Sequence, residues 1–250
     1  MIPNVIFLEE TGSTNEEARK LAFAGYPQGT LVIADSQTGG KGRRGRNWHT
    51  PKGSSIAMSL ILKPELEAEY ASMLTLVQAM AVAKAIEEQC ELKTQIKWPN
   101  DVLVNEKKVC GILTEMNMEG IKISSIIIGT GINVNQDDFP KDISEIATSL
   151  KRESGRVCSR EKLVKRIYEL FDKYFEMFME SKDLSGILDE YNSRLISAGR
   201  RVKVLDPKGE FTGEALGINK SGELLVKKED GEITKVFAGE VSVRGIYGYV

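Results

Sequence analysis

Histidine is what this chain has least of: His49 is the only one in 250 residues. A histidine-built zinc site or a Ser-His-Asp triad would rest on that single side chain, and no nucleophile elbow accompanies it. Cysteine is also scarce. Cys90, Cys110 and Cys158 are odd in number and have no C-x-x-C spacing. That pattern excludes a disulfide framework or thiolate metal cluster and reads as reduced thiols in a reducing compartment. No run approaches the roughly 20 apolar residues of a membrane span. The short apolar start is closed by Glu9 and Glu10, unlike a signal peptide. A cytoplasmic location is expected. Charge of one sign is missing too: 34 Lys and Arg stand against 36 Asp and Glu, a net charge of −2, with a pI of about 5.8. A dedicated DNA binder is more often basic. Chemistry here must run on lysine, arginine, carboxylate and backbone groups.

With 41% hydrophobic and 28% charged residues, the composition is that of an ordinary globular protein. The length suits one large domain or one domain plus a satellite. The most informative stretch is Gln37-Thr38-Gly39-Gly40-Lys41-Gly42-Arg43-Arg44-Gly45-Arg46-Asn47-Trp48, which packs four glycines and four cations into residues 39–46. Glycine lets backbone approach a ligand closely. The cations repel one another until an anion, such as a phosphate chain, relieves them and takes hydrogen bonds from the arginine forks. A loop that is loose alone and ordered by an anion follows; a solvated basic loop is the plainer alternative. Gly40-Lys41-Gly42-Arg43-Arg44-Gly45 is formally a G-x-G-x-x-G, but a dinucleotide fingerprint must open a helix, which residues 47–53 cannot do. A P-loop motif is absent as well.

In chain order, residues 4–8 read as a strand. Ser13 and Glu16 have capping-box spacing for a helix that stops at Gly25. That cap needs neither Thr14 nor Asn15, whose polar ends are left to face a ligand. A buried strand at 54–62 precedes a long helix from 68 to about 89, with Leu74, Val77, Ala81, Ala85 and Ile86 on its inner face. Trp98-Pro99-Asn100-Asp101 forms a stiff turn between two strands. After a hairpin at 102–108, alternation along 109–116 puts Lys108, Cys110, Ile112 and Thr114 on one face and Lys107 on the other. One of two adjacent lysines then points inward. A strand at 124–129 enters a second tight glycine turn, from Gly129 to Asn135, in which Asn133 reads a base or fixes the turn. Residues 136–160 are loop-like, apart from a short element at 147–150. The aromatic stripe of 160–181 is core packing, and a shorter helix spans 184 to about 195. Five short strands between 201 and 244 predict a small SH3-type barrel, marginal alone and expected to dock on the main domain. The expected division is 1–197 and 198–250.

The carriers of a family likeness are five motifs. They are Ser13-Thr14-Asn15; Gln37 with the loop through Trp48; Lys97-Trp98-Pro99-Asn100-Asp101; Lys108-Val109-Cys110-Gly111-Ile112-Leu113; and Gly129-Thr130-Gly131-Ile132-Asn133. In this order, before a small barrel, they resemble the biotin–protein ligases over nearly the whole chain. The resemblance implies an α+β catalytic domain with a mixed β-sheet and flanking helices, of the class II synthetase and biotinyl/lipoyl ligase type. It also implies a C-terminal SH3-like β-barrel. Biotin and ATP, the latter with Mg²⁺, would give biotinyl-5′-AMP and pyrophosphate, and biotin would then pass to a lysine of a biotin carboxyl carrier protein.

On the same resemblance, Ser13, Thr14, Asn15 and Gln37 line the biotin head-group pocket, and Lys41, Gly42, Arg43, Lys108 and Gly111 complete the biotin site. Arg43, Arg46, Trp48, Asn100, Asn133 and Lys108 bind ATP. Catalysis falls to Lys108, bridging carboxylate and α-phosphate, to Arg43 in the closing loop, and to Asp101. Asp101 either helps deprotonate the acceptor lysine or orients Lys108. No residue is assigned to a metal. The family's loop usually reads G-R-G-R-x-G-R; Lys41 stands at the first arginine, keeping the charge but not the planar fork. Bifunctional members carry a winged-helix segment first; with a catalytic strand starting near Asn4, a ligase without repressor function is expected. A homodimer without DNA or membrane partners is expected too. The alternatives are a lipoyl or octanoyl transferase of related fold and a non-catalytic biotin-binding module.

Overall fold

Apolar runs with period-two alternation within residues 4–133 pair into one seven-stranded sheet of order β1-β2-β3-β7-β6-β5-β4. The computed structural model describes residues 4–206, 209–238 and 242–245. The strands are β1 (Asn4–Thr11), β2 (Thr30–Gln37), β3 (Ser55–Leu62), β4 (Gln95–Lys97), β5 (Asp101–Val104), β6 (Lys107–Glu119) and β7 (Lys122–Asn133). Only β1 and β2 pair in parallel; the other neighbours are antiparallel, so the sheet is mixed. Helix α1 (Thr14–Phe23) covers one face, while α2 (Met73–Cys90) and α4 (Arg160–Ser181) share the core of the other. Helices α3 (Leu150–Ser154) and α5 (Leu188–Arg194) are short.

The registers line side chains up in rows across the sheet. On the α1 face, Ala34, Ala57, Gly131 and Gly111 make one row and Val32, Ser59, Gly129 and Leu113 the next. Ile61, Ile127 and Glu115 form the third. Nothing in the first row exceeds a methyl group, so a trench opens there. The third row lies under α1, where Ala18, Ala22, Val32, Ile61 and Ile127 form a small separate core.

A second, five-stranded antiparallel sheet follows: β8 (Arg201–Leu205), β9 (Phe211–Ile218), β10 (Leu224–Lys227), β11 (Ile233–Val236) and β12 (Ser242–Gly245), in the order β11-β10-β9-β8-β12. Among the described residues its end strands are not paired with each other. Parts of the last expected strand and of the turn after Leu205 lie outside the described residues. Val202, Val204, Ile218, Leu224 and Val226 join the same buried cluster as α2 and α4. Trp98 Nε1 donates to the Gly222 carbonyl at 3.0 Å, and Asn192 brackets Ile218, accepting from its N–H at 2.8 Å and donating to its carbonyl at 3.1 Å. So small a sheet is marginal alone, and the shared core is its support.

Several expectations change. Ser13 is the N-cap of α1 but makes no side-chain cap bond, and Glu16 turns to Lys41 instead. Helix α2 starts at Met73, after a 3-10 turn at Ala68–Tyr70, and is buried nearly all round because sheet, α4 and the second domain enclose it. Helix α5 begins at Leu188, and the element expected at 147–150 is α3 one turn later. The second glycine turn is not a turn, since β7 runs straight through Asn133.

The grouping of Lys108 with Cys110, Ile112 and Thr114 is overturned too. The β5–β6 register slips between Val102 and Leu103, leaving Val109 as an extra residue. Val109 and Cys110 therefore both enter the core, and Lys108 comes onto the opposite face with Gly111. Its Nζ lies 3.0 Å from where a Cβ on Gly111 would stand.

Candidate active site

The first turn of α1 lowers three consecutive polar side chains onto the sheet: Ser13, Thr14 and Asn15, at 4, 4 and 6% exposed. Buried polar groups need partners, and Thr14 and Asn15 have them. Thr14 N–H donates to Gln37 Oε1 at 2.8 Å, with its hydroxyl 3.1 Å from the same oxygen. Gln37 Nε2 donates to Thr50 Oγ1 at 3.0 Å. Ser59 Oγ donates to Asn15 Oδ1 at 2.6 Å and lies 2.8 Å from Thr14 Oγ1. Gly129 is required beneath, because any Cβ there would collide with the Asn15 amide; Gly131 clears the Trp48 indole in the same way.

The glycine–arginine loop closes the trench from above. Gly42 N–H donates to the Arg46 carbonyl at 2.7 Å and Trp48 N–H to the Gly40 carbonyl at 2.8 Å, so the loop folds back on itself. Its tip takes Arg44 at φ 60° and Gly45 at φ 72°, a left-handed backbone that glycine adopts without strain. Lys41 Nζ pairs with Glu16 Oε1 at 2.5 Å, a bond that holds the Glu16 carboxyl below its usual range. Arg43 reaches inward: Nη1 donates to Asn100 Oδ1 at 2.8 Å and Nη2 to the Ala238 carbonyl at 3.4 Å. Burial draws its pKa down, opposed by the charge of Asp101. Loop, Asn100 turn and second domain thus meet at one guanidinium.

At the other end of the trench, Lys108 Nζ pairs with Asp101 Oδ1 at 2.7 Å, both side chains mostly buried. The ammonium also lies 5.4 Å from the centre of the Trp48 ring, within cation–π range. Backbone bonds hold Lys108 to a loop segment: its N–H donates to the Ile146 carbonyl at 2.8 Å and its carbonyl receives Thr148 N–H at 3.0 Å. Lys97 faces Asp101 across the β4–β5 pair. Burial pushes its pKa down to about 8, Asp101 pulls it back up, and Lys108, Arg244 and Arg46 lower it further. So many cations beside one carboxylate suit an incoming anion.

A cleft joins the two ends. Ser13, Thr14, Asn15, Gln37, Lys41, Gly42, Arg43, Trp48, Asn100, Lys108 and Gly111 all line it, and Asp101 stands behind Lys108. Two further expected residues, like Asp101, do not line it. Arg46 is exposed on the outside of the loop, and Asn133 is buried, donating to the Thr148 carbonyl at 3.1 Å. The five motifs include neither Ser59 nor Glu115, and Lys97 stands in one of them without an assigned role. A serine inside an otherwise apolar buried strand was the available signal for Ser59; no pattern singled out Glu115.

The profile of the Biotin/lipoate A/B protein ligase family matches residues 7–133, and that of the biotin protein ligase C terminal domain matches residues 198–244. The bifunctional ligase/repressor BirA of Bacillus spizizenii is 40% identical over 242 residues, spanning 96% of this chain and 74% of that protein. The biotin–[acetyl-CoA-carboxylase] ligase of Paracoccus denitrificans is 32% identical over 225 residues, 88% of this chain and 92% of that one. Among solved structures, the biotin protein ligase from Aquifex aeolicus in complex with biotin and ATP has a TM-score of 0.85 at 33% identity, covering 97% of this chain and 99% of that one. The mixed-sheet domain is that of a ligase. The chain belongs to the biotin protein ligase family.

Proposed function

We propose that this chain activates biotin with ATP to biotinyl-5′-AMP, releasing pyrophosphate, and then passes the biotinyl group to a lysine of a biotin carboxyl carrier protein. The observation that supports this most directly is the two-ended cleft. A neutral hydrogen-bonding pocket at Thr14, Asn15 and Gln37 runs into a cationic end at Arg43 and Lys108. Biotin has the matching form, an uncharged bicyclic urea joined to a carboxylate. Likeness to the Aquifex aeolicus ligase in complex with biotin and ATP adds to the case.

Adenylation brings a carboxylate against a triphosphate, so repulsion is much of the barrier. Lys108 bridges the carboxylate and the α-phosphate as a preorganised group in a partly dehydrated site, while Arg43 closes from the loop over the phosphate of the adenylate once it has formed. Asp101, 2.7 Å from Lys108, orients that ammonium. In the second step it helps take the proton from the acceptor lysine, whose amine attacks the anhydride carbonyl as AMP leaves. Trp48 offers a flat apolar face to adenine, and Asn100 stands beside Arg43. Ser13, Lys41, Gly42 and Gly111 enclose biotin. Arg46 reaches the nucleotide as the loop closes; Asn133, bonded to Thr148, supports the segment that holds Lys108. Closing the loop keeps water from the mixed anhydride.

ATP enters as its magnesium complex. Among the described residues no three His, Cys, Asp or Glu side chains converge on a metal site, and Asp101 is engaged by Lys108. On this reading the ion is carried by the triphosphate, and no step above passes through it. The proposal includes a catalytic unit at 1–197 and an SH3-like unit at 198–250, acting as a cytoplasmic homodimer without DNA binding. β1 is the end strand of its sheet, paired on one side only among the described residues. It carries Val5 and Phe7 at 50 and 62% exposed, so edge and apolar surface suit a second copy. No helix among the described residues is long and apolar enough to cross a membrane.

Incubating the protein with labelled biotin, ATP and Mg²⁺ should yield biotinyl-adenylate and pyrophosphate, and a carrier domain added afterwards should take up the label. Adenylate formed from lipoate or octanoate but not from biotin would move the chain to the lipoyl branch of the fold.

A further inference from the structure

Asn15 has both ends of its amide committed by its neighbours. Its Oδ1 receives Ser59 Oγ at 2.6 Å. Its Nδ2 donates to Glu115 Oε2 at 2.7 Å and to the Leu113 carbonyl at 3.4 Å. The other Glu115 oxygen receives Arg19 Nη2 at 2.8 Å. Glu115 stands in the third row of the sheet, beside α1, and does not line the cleft; Asn15 does.

An ionised carboxylate accepts hydrogen bonds and donates none. Glu115 therefore admits one orientation of the Asn15 amide, nitrogen toward Glu115 and oxygen toward Ser59. Turned over, Oδ1 would face two acceptors, the carboxylate and the Leu113 carbonyl. Gly129 sets the height of the amide, since a Cβ there would displace it. Oδ1 accepts one bond from Ser59 and keeps a second lone pair.

We propose that Glu115, steadied by Arg19, is a positioning residue that fixes the Asn15 amide so that the cleft meets the substrate's cyclic urea with a hydrogen-bond acceptor. The inference rests on reading the cleft as the biotin site. It extends that reading to the substrate class: a ring urea with a free N–H beside Asn15. Glu115 acts through Asn15 alone and touches no reacting atom.

The test is steady-state adenylate formation by the full chain, with KM for biotin, KM for ATP and kcat measured separately. Glu115→Gln keeps the size but offers an amide that accepts or donates, so only the longer bond to the Leu113 carbonyl still favours the Asn15 orientation. Its biotin KM should rise about tenfold, with kcat and ATP KM changed by less than about twofold. Arg19→Ala should move the biotin KM the same way by about threefold. In an Asn15→Ala background, Glu115→Gln should add nothing further to the biotin KM. An unchanged biotin KM in Glu115→Gln overturns the proposal, as does a parallel loss in kcat and both KM values, or full additivity in the double variant. A wild-type protein that forms no adenylate from biotin refutes the biotin reading itself, and that result is visible before any variant is made.

Discussion

The two ends of the cleft are built in opposite ways. The head end is neutral and buried, and its polar atoms are paired by fixed neighbours: Thr14 with Gln37, Gln37 with Thr50, Asn15 with Ser59 and Glu115. The cationic end sets Lys97, Lys108 and Arg43 beside Asp101, with the exposed Arg46 and Arg244 adding to the positive charge felt by Lys97, and its loop leans on an exposed Lys41–Glu16 pair. On the proposed reading, the neutral urea is recognised by geometry and its site is complete before it arrives, whereas the triphosphate is recognised by charge, and cations held together without it repel one another. One end would then select the substrate, and the other would be completed by it.

The largest expected effect separates adjacent lysines at the cationic end. Lys108→Ala should lower adenylate formation by about 10²–10³, the usual cost of losing one preorganised charge contact. Lys107→Ala should stay close to wild type. Equal defects would mean that the bulge at Val109 does not aim Lys108 as described.

Next comes a pair that sets the two ends against each other on one strand. Gly129→Ala pushes on Asn15 and should raise the biotin KM by about tenfold or more, whereas Gly131→Ala pushes on Trp48 and should fall mainly on ATP. Both variants affecting both substrates alike would erase the division between the ends.

A third measurement uses pH. Lys97 carries its charge below its pKa of about 8 and loses it above, so the ATP KM should rise as pH passes through 8. Lys97→Met should flatten that step. Because the folded-state value lies below the ordinary 10.5, the unfolded chain binds more protons between about 8 and 10.5, and Lys97's contribution to stability grows with pH there. An ATP KM that does not respond across this window removes Lys97 from the nucleotide's surroundings.

The smallest effect on turnover concerns retention. Arg43→Gly removes the clamp between loop and Asn100 and adds backbone freedom. The variant should still form adenylate but release it early, labelling lysines of a bystander protein as readily as those of a carrier. Loss of adenylation without such leakage would make Arg43 catalytic rather than a lid residue.

By itself the sequence determined the parts. The cationic glycine loop, the polar triplet Ser13-Thr14-Asn15, the stiff Trp98–Asp101 turn and the inward lysine were legible because each is local chemistry on contiguous residues. The closing run of short strands was legible as a compositional change. Only the tertiary structure decided how the parts are used. Which face Lys108 takes depends on a bulge fixed by the partner strand, and period-two alternation cannot foresee an extra residue. Gly129 and Gly131 look like a turn in one dimension; in three they are gaps in a strand, needed because Asn15 and Trp48 arrive from far along the chain. Glu115 had no signal at all. Its role comes from lying opposite Ile127 in the register, 100 residues from the amide it holds. Contacts of that separation are set by sheet register and helix docking, which no local pattern encodes.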